Sequence, residues 1–146
     1  MRNDISLSGP PLCLCYVNTE IGEVIDDDGD AKAEYSSNFV AIGSITNEIQ
    51  IWDLDVMDSP GPSYTLTGHR QSSAVISLSW DGDRHLVSGG SDGRSLLWSL
   101  DNGAKVALGK ESNENAINQI VFATKSRIIS GDSTGVCRIY DKTRYT

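Results

Sequence analysis

The chain has 146 residues, a formal net charge of −8, and 38% apolar and 22% charged residues. That is the composition of a soluble globular domain with one sizeable core. No apolar run approaches the roughly 18 residues of a membrane-spanning helix, and a general grip on nucleic acid needs a basic face that an acidic chain lacks overall.

In chain order, Met1-Arg2-Asn3-Asp4 leads into no long hydrophobic stretch, so no secretory signal is expected. The first strand-sized run is Leu12 to Val17, which carries Cys13 and Cys15; the third cysteine is Cys137. An odd number without framework spacing predicts free thiols in a reducing compartment. Cys13 and Cys15 share a strand face and read as small apolar residues, not as a metal site. Residues 18–37 form an acidic insertion: Glu20, Glu23, Asp26, Asp27, Asp28, Asp30 and Glu34 face one base, Lys32. With so little apolar content the insertion is expected to lack fixed structure. Within it, Asp26-Asp27-Asp28-Gly29-Asp30 resembles a calcium loop. Placing Gly29 at loop position six puts Val24 and Tyr35 where acidic ligands are required, so no metal is predicted.

Short strands follow, separated by turn chemistry. Strands near 12–17, 38–44, 48–54 and 64–66 make a first unit, 12–66. Strands near 74–80, 84–89, 94–99 and 104–108 make a second, 74–108. Strands near 116–122, 126–131 and 136–140 make a third, 116–143, without a fourth strand. The turns are Asp81-Gly82, Asp92-Gly93, Asn102-Gly103 and Thr134-Gly135. The chain ends on a basic group, Lys125, Arg127, Arg138, Lys142 and Arg144, against Asp132 and Asp141 alone. It reads as an ordinary solvated surface, the alternative being a local contact with RNA or an acidic partner.

The units repeat. Gly43, Gly89 and Gly131 each stand nine residues before an aromatic, and those aromatics, Trp52, Trp98 and Tyr140, are 46 and 42 residues apart. Ala74 to Trp80 is matched 42 residues later by Ala116 to Phe122. The spacing is about that of a propeller repeat, some 40–45 residues. With Gly68-His69 ahead of Trp98 and a literal Trp52-Asp53, residues 12–143 resemble the WD-repeat family. The resemblance implies an all-β partial WD-repeat β-propeller of about three four-stranded antiparallel blades, the last incomplete. It also implies a buried hydrogen-bonded set of His69, Ser88, Asp92 and Trp98 in the second blade, in which Asp92 accepts from His69 and His69 leads on to Ser88 and Trp98. A buried imidazole and indole N–H both need such partners. The other blades depart from it: Thr46 and Thr134 stand where Asp92 does, and Tyr140 replaces the tryptophan, so these blades should be looser or stitched differently. Closed propellers have about four or more blades. The chain is therefore expected to be a fragment, a truncated product, or a reduced protein completed by another chain.

Several motifs imitate chemistry. Gly89-Gly90-Ser91-Asp92-Gly93 and Gly131-Asp132-Ser133-Thr134-Gly135 both match the nucleophile elbow G-x-S-x-G. An elbow must open a helix, whereas both of these lead into strands and recur at one repeat position. Gly109-Lys110 lacks the first glycine of a phosphate loop, since Ala104 stands there, and Glu111 follows the lysine in place of Ser or Thr. No catalytic residue, cofactor, metal or small-molecule substrate is predicted, and the chain reads as a non-enzyme.

A narrower resemblance rests on Asn38 to Gly43, Ile49 to Ser59, Pro11 to Leu14, Tyr64 to Leu66, Val75 to Trp80, Ile129 to Gly131 and Ile139 to Asp141. These segments are similar to the periodic tryptophan protein 1 family. That resemblance implies a nuclear, nucleolar scaffold in ribosome biogenesis, concerned with rRNA processing and large-subunit assembly. Its partners would be other proteins in a multi-subunit assembly such as a pre-ribosomal particle, with any RNA contact indirect. The alternative is a WD-repeat adaptor in a chromatin or ubiquitin-ligase complex, or a cytoplasmic location. Missing are the family's lysine-rich insertion before Gly-His, its long acidic N-terminal region and its further blades. Partner binding is expected at loops on one rim, with Arg70, Gln71, Arg94 and Asn113 as candidates.

Overall fold

Runs of β-branched and aromatic residues at a two-residue period, cut by Asp, Asn and Gly, favour meandering antiparallel sheet. A computed structural model describes residues 4–25, 27–56, 58–109 and 115–146, the side chains of 19–25 and 31–37 excepted. The first sheet runs in the order β1 (Pro11–Ile25), β2 (Ala31–Ser44), β3 (Glu48–Asp53) and β4 (Tyr64–Thr67). The second is β5 (Val75–Trp80), β6 (His85–Gly90), β7 (Ser95–Ser99) and β8 (Lys105–Ala107). The third has β9 (Ile117–Phe122), β10 (Arg127–Asp132) and β11 (Cys137–Asp141), followed by a 3-10 turn, Lys142–Arg144. These are three consecutive blades of an all-β partial propeller, the last with three strands.

Alternation along each strand gives every blade a forward face, toward the next blade, and a backward face, toward the previous one. On the second blade the backward face presents two cross-strand rows, Leu78–Ser88–Leu96 and Trp80–Leu86–Trp98. They pack on Ala41, Ile49, Ile51 and half-buried Cys13 and Cys15 of the first blade. Its forward face presents Ser77–Gly89–Ser95 and Ser79–Val87–Leu97. Val87 and Leu97 pack on Ile117, Ile120 and Ile128 of the third blade. Leu86 and Val87 are both fully buried although adjacent, because each lies in a different interface. Burying each such side chain contributes about 1.5–3 kcal/mol.

The acidic insertion departs from expectation. β1 and β2 run through it, paired from Val17↔Phe39 to Ile25↔Ala31 with a bulge around Glu20. Buried Val17 and the indole N–H of Trp80, which donates to the Asn18 carbonyl at 2.9 Å, fix the base of this hairpin. Beyond that base each added pair satisfies backbone groups that would otherwise need water. At its tip Gly29 adopts φ +83°, open to glycine at no steric cost. Composition alone ranks such a segment by its side chains and misses the ladder available to its backbone.

Candidate functional site

The connection from β4 to β5 carries His69, the β6–β7 turn carries Asp92, β6 carries Ser88 and β7 carries Trp98. The structure brings the four together. His69 Nδ1 lies 3.1 and 3.2 Å from the two Asp92 carboxylate oxygens, and its Nε2 lies 2.8 Å from Ser88 Oγ. Trp98 Nε1 donates to the same Ser88 Oγ at 2.8 Å. The donor inventory sets the direction of every bond. The indole can only donate, so Ser88 Oγ accepts from it; the carboxylate can only accept, so His69 Nδ1 donates. With the imidazole proton on Nδ1, Nε2 is left to accept the Ser88 hydroxyl proton, and no donor in the chain is left over.

Gly90 makes the arrangement possible. A Cβ there would lie 2.5 Å from Asp92 Oδ1 and closer still to His69 Nδ1. Asp92 also accepts from the backbone N–H groups of Arg70 at 2.8 Å and Arg94 at 3.0 Å. Burial pushes its pKa up, but the His69, Arg70 and Arg94 hydrogen bonds outweigh burial and hold the carboxyl down at about 2.

Ser88, His69 and Asp92 have the connectivity of a serine-hydrolase triad, and their surroundings oppose that chemistry. Ser88 is fully buried, and its oxygen already carries the Trp98 hydrogen bond. An attacking hydroxyl must reach a carbonyl carbon beside oxyanion donors. The two G-x-S-x-G serines, Ser91 and Ser133, are exposed in strand–turn–strand connections, and Ser91 Oγ accepts from the Ala74 N–H at 2.8 Å.

The candidate rim residues separate. Arg70 and Gln71 are exposed at a tight turn in which Ser72 adopts φ +63° and the Ser73 hydroxyl donates to the Arg70 carbonyl. Arg94 is half-buried and turned inward, with Nη1 donating to the Gly68 carbonyl at 3.0 Å. Asn113 lies outside the described residues.

Sequence reasoning missed a second polar cluster at the opposite end of the blades. Asp81 Oδ1 accepts from the backbone N–H groups of Asp83, Arg84 and His85. Its Oδ2 lies 3.1 Å from His85 Nδ1 and accepts from Lys142 Nζ of the third blade at 2.9 Å. Burial raises the Asp81 pKa, and the bonds from Lys142, His85 and Asp83 prevail to lower it. An aspartate opening an Asp-Gly turn was the available signal; its distant lysine partner carried none. The roles of Ser77 and Ser79 were also missed. Their hydroxyls accept from the Ile120 and Phe122 backbone N–H groups at 3.0 and 3.1 Å and tie the second blade to the third.

Comparison with known proteins identifies the repeat. Residues 61–99 match the family described as WD domain, G-beta repeat, a span containing all four members of the hydrogen-bonded set. Over 96% of its length the chain is 29% identical to a Periodic tryptophan protein 1 homolog of Drosophila melanogaster, covering 31% of that protein. Over 40% of its length it is 40% identical to a Ribosome biogenesis protein WDR12 homolog of Nematostella vectensis, covering 13% of it. The chain thus spans less than a third of the length of either relative. Among solved structures, the Myceliophteria thermophila Cps50 (Swd1) β-propeller domain superposes with a TM-score of 0.59 at 20% identity. That match covers 91% of this chain and 37% of the other.

Proposed function

We propose that this chain, a WD-repeat protein, is a non-enzymatic scaffold of ribosome biogenesis, working within a multi-subunit assembly on rRNA processing and large-subunit maturation. The single observation that carries the non-enzymatic part is the closed hydrogen-bonded chain Trp98–Ser88–His69–Asp92. The Ser–His–Asp constellation found among the described residues has every polar atom engaged and its serine shut away from solvent.

The likeness to proteins named Periodic tryptophan protein 1 and Ribosome biogenesis protein WDR12 supports the ribosomal reading, and with it a nuclear, nucleolar location. Partner contact is assigned to the loops at the His69 end of the blades, with exposed Arg70 and Gln71 foremost. Any RNA contact is indirect, since the acidic balance leaves this chain few phosphate-binding groups.

Sucrose-gradient sedimentation of extract from the source cell, with identification of what co-purifies, tests the reading. The expected result is co-migration with precursors of the large ribosomal subunit, lost on nuclease treatment. Migration as a small free species, or with a chromatin or ubiquitin-ligase complex, would overturn it.

A further inference from the structure

A carboxylate shut off from water holds one cation well and a second only against the repulsion between the two. The cluster at the end of the blades opposite His69 is built on that limit. Asp81, in the β5–β6 turn, has a side chain only 1% exposed, and Lys142 reaches it from the third blade. The lysine backbone belongs to its own blade, its N–H donating to the Ser126 carbonyl at 2.8 Å. Its side chain crosses the junction, with Nζ donating to Asp81 Oδ2 at 2.9 Å and standing 5.9 Å from the centre of the Phe122 ring. Lys142 therefore ties the third blade to the second.

His85 is the third member of the cluster. Its Nδ1 lies 3.1 Å from Asp81 Oδ2 and 3.5 Å from Lys142 Nζ, between an acceptor and a donor. Nδ1 serves only one of them at a time. Carrying the ring proton it donates to Asp81, and without that proton it accepts from Lys142. Either way the neutral ring adds no charge beside the ammonium. The imidazolium differs in both respects: Nδ1 has no lone pair left to accept with, and a second positive charge faces Lys142 across one carboxylate. Imidazole is the side chain whose ordinary charge change falls between about pH 5 and pH 8.

The other charged groups on the elements that pack here are engaged with one another or lie at the surface. Asp83 and Arg84 of the β5–β6 turn pair, and Arg84 also reaches Asp101 of the β7–β8 turn. On the third blade Arg127 pairs with Asp141, and Lys125 and Arg144 are exposed. Tyr145 and Thr146 line a cavity onto which His85 opens, which gives solvent protons a path to the ring.

We propose that the His85 proton works a latch between the second and third blades. The neutral ring leaves Lys142 seated on Asp81; the imidazolium takes the carboxylate for itself and displaces the lysine, so mild acid loosens the hold of the third blade on the second. Proton and lysine compete for one site, and the competition is reciprocal.

The test is urea denaturation of the 146-residue chain at about pH 8 and pH 5.5 in the wild type, Lys142→Met, His85→Gln and the double variant. Circular dichroism checks that each keeps its sheet. Asp81 stays ionised at both values, since its carboxyl is held below the usual carboxylate range. The Thr146 carboxylate is common to all four proteins and cancels in the comparison. At pH 8 Lys142→Met should raise the unfolding constant roughly tenfold, the size of one charge-assisted hydrogen bond, and at pH 5.5 by less than about twofold. In the His85→Gln background, where residue 85 stays neutral, the roughly tenfold loss should appear at both values. An equal loss at both values in the wild-type background, no loss at either, or a pH-dependent loss that survives in His85→Gln overturns the proposal. The wild type alone gives a second reading. Hydrogen exchange at the Tyr145 amide, which donates to the Lys142 carbonyl at 2.9 Å, should speed up several-fold from pH 8 to pH 5.5 once corrected for its intrinsic pH dependence. An unchanged corrected rate overturns the latch.

Discussion

The second and third blades share the antiparallel order of their first three strands, yet their interiors are joined differently. In the second, Ser88 Oγ links His69 and Trp98, and Asp92 closes the set. In the third, Ser130 occupies the register of Ser88 and is equally buried, but its Oγ has no hydrogen-bond partner among the described residues. Tyr140 stands where Trp98 stands and Arg138 where Leu96 stands. The third blade is instead held at its turn. Asp132 accepts from Arg138 Nη1 at 2.6 Å, from the Thr134 hydroxyl at 2.6 Å and from the Thr134 and Val136 N–H groups. Those bonds, led by Arg138, keep its carboxyl well below the usual carboxylate range. The difference teaches that alternation and turns suffice to fold a blade, and that the four-residue set is a further layer of stabilisation, one that leaves its mark when it is incomplete.

The largest expected break in this comparison is Trp98→Ala. It opens a cavity at a 1% exposed site and strips Ser88 of its donor, so it should cost about 3–5 kcal/mol in urea denaturation. His69→Ala should come next, at about 1–3 kcal/mol, because it leaves Asp92 and Ser88 short of partners in the interior; the same assay reads it.

Acid separates the set by charge. The Asp92 carboxyl sits at about 2 in the fold against about 3.9 in an unfolded chain. Its stabilising contribution is therefore complete above about pH 4 and lost as pH falls toward 2. Thermal midpoints between pH 5 and pH 2 should fall less steeply in Asp92→Asn than in the wild type.

The smallest effect leaves stability untouched. Burial pushes the Cys13 and Cys15 thiols up to about 11, whereas Cys137 is exposed on the third blade. A thiol reagent at neutral pH should label one cysteine quickly and two slowly; fast labelling of all three would show the packing of the first blade on the second to be open.

Much of this was legible in the sequence. The glycine-to-aromatic interval and the Asp-Gly and Asn-Gly turns place β3 to β11 within a residue or two, because a meander is specified locally by side-chain alternation and turn chemistry, whereas β1 and β2 run seven or eight residues further than expected. Gly68-His69, Ser88, Asp92 and Trp98 were readable as one set only through the family resemblance; spacing alone does not say which side chains meet. Three features had no local signal. The pairing of residues 18–37 depends on backbone ladders, the inward turn of Arg94 depends on a carbonyl 26 residues away, and the Asp81–Lys142 bond joins residues 61 positions apart.

The central claim is that the hydrogen-bonded set, not the blade fold itself, distinguishes the second blade from the third. Ser88→Ala and Ser130→Ala measured side by side by equilibrium urea denaturation test it most directly, since they remove the same hydroxyl at the same register position. Ser88→Ala should destabilise by about 1–3 kcal/mol, leaving a buried indole N–H and a buried imidazole nitrogen unpaired. Ser130→Ala should be neutral or stabilising, because it removes a buried hydroxyl that has no partner among the described residues. Equal losses at the two positions would contradict the account.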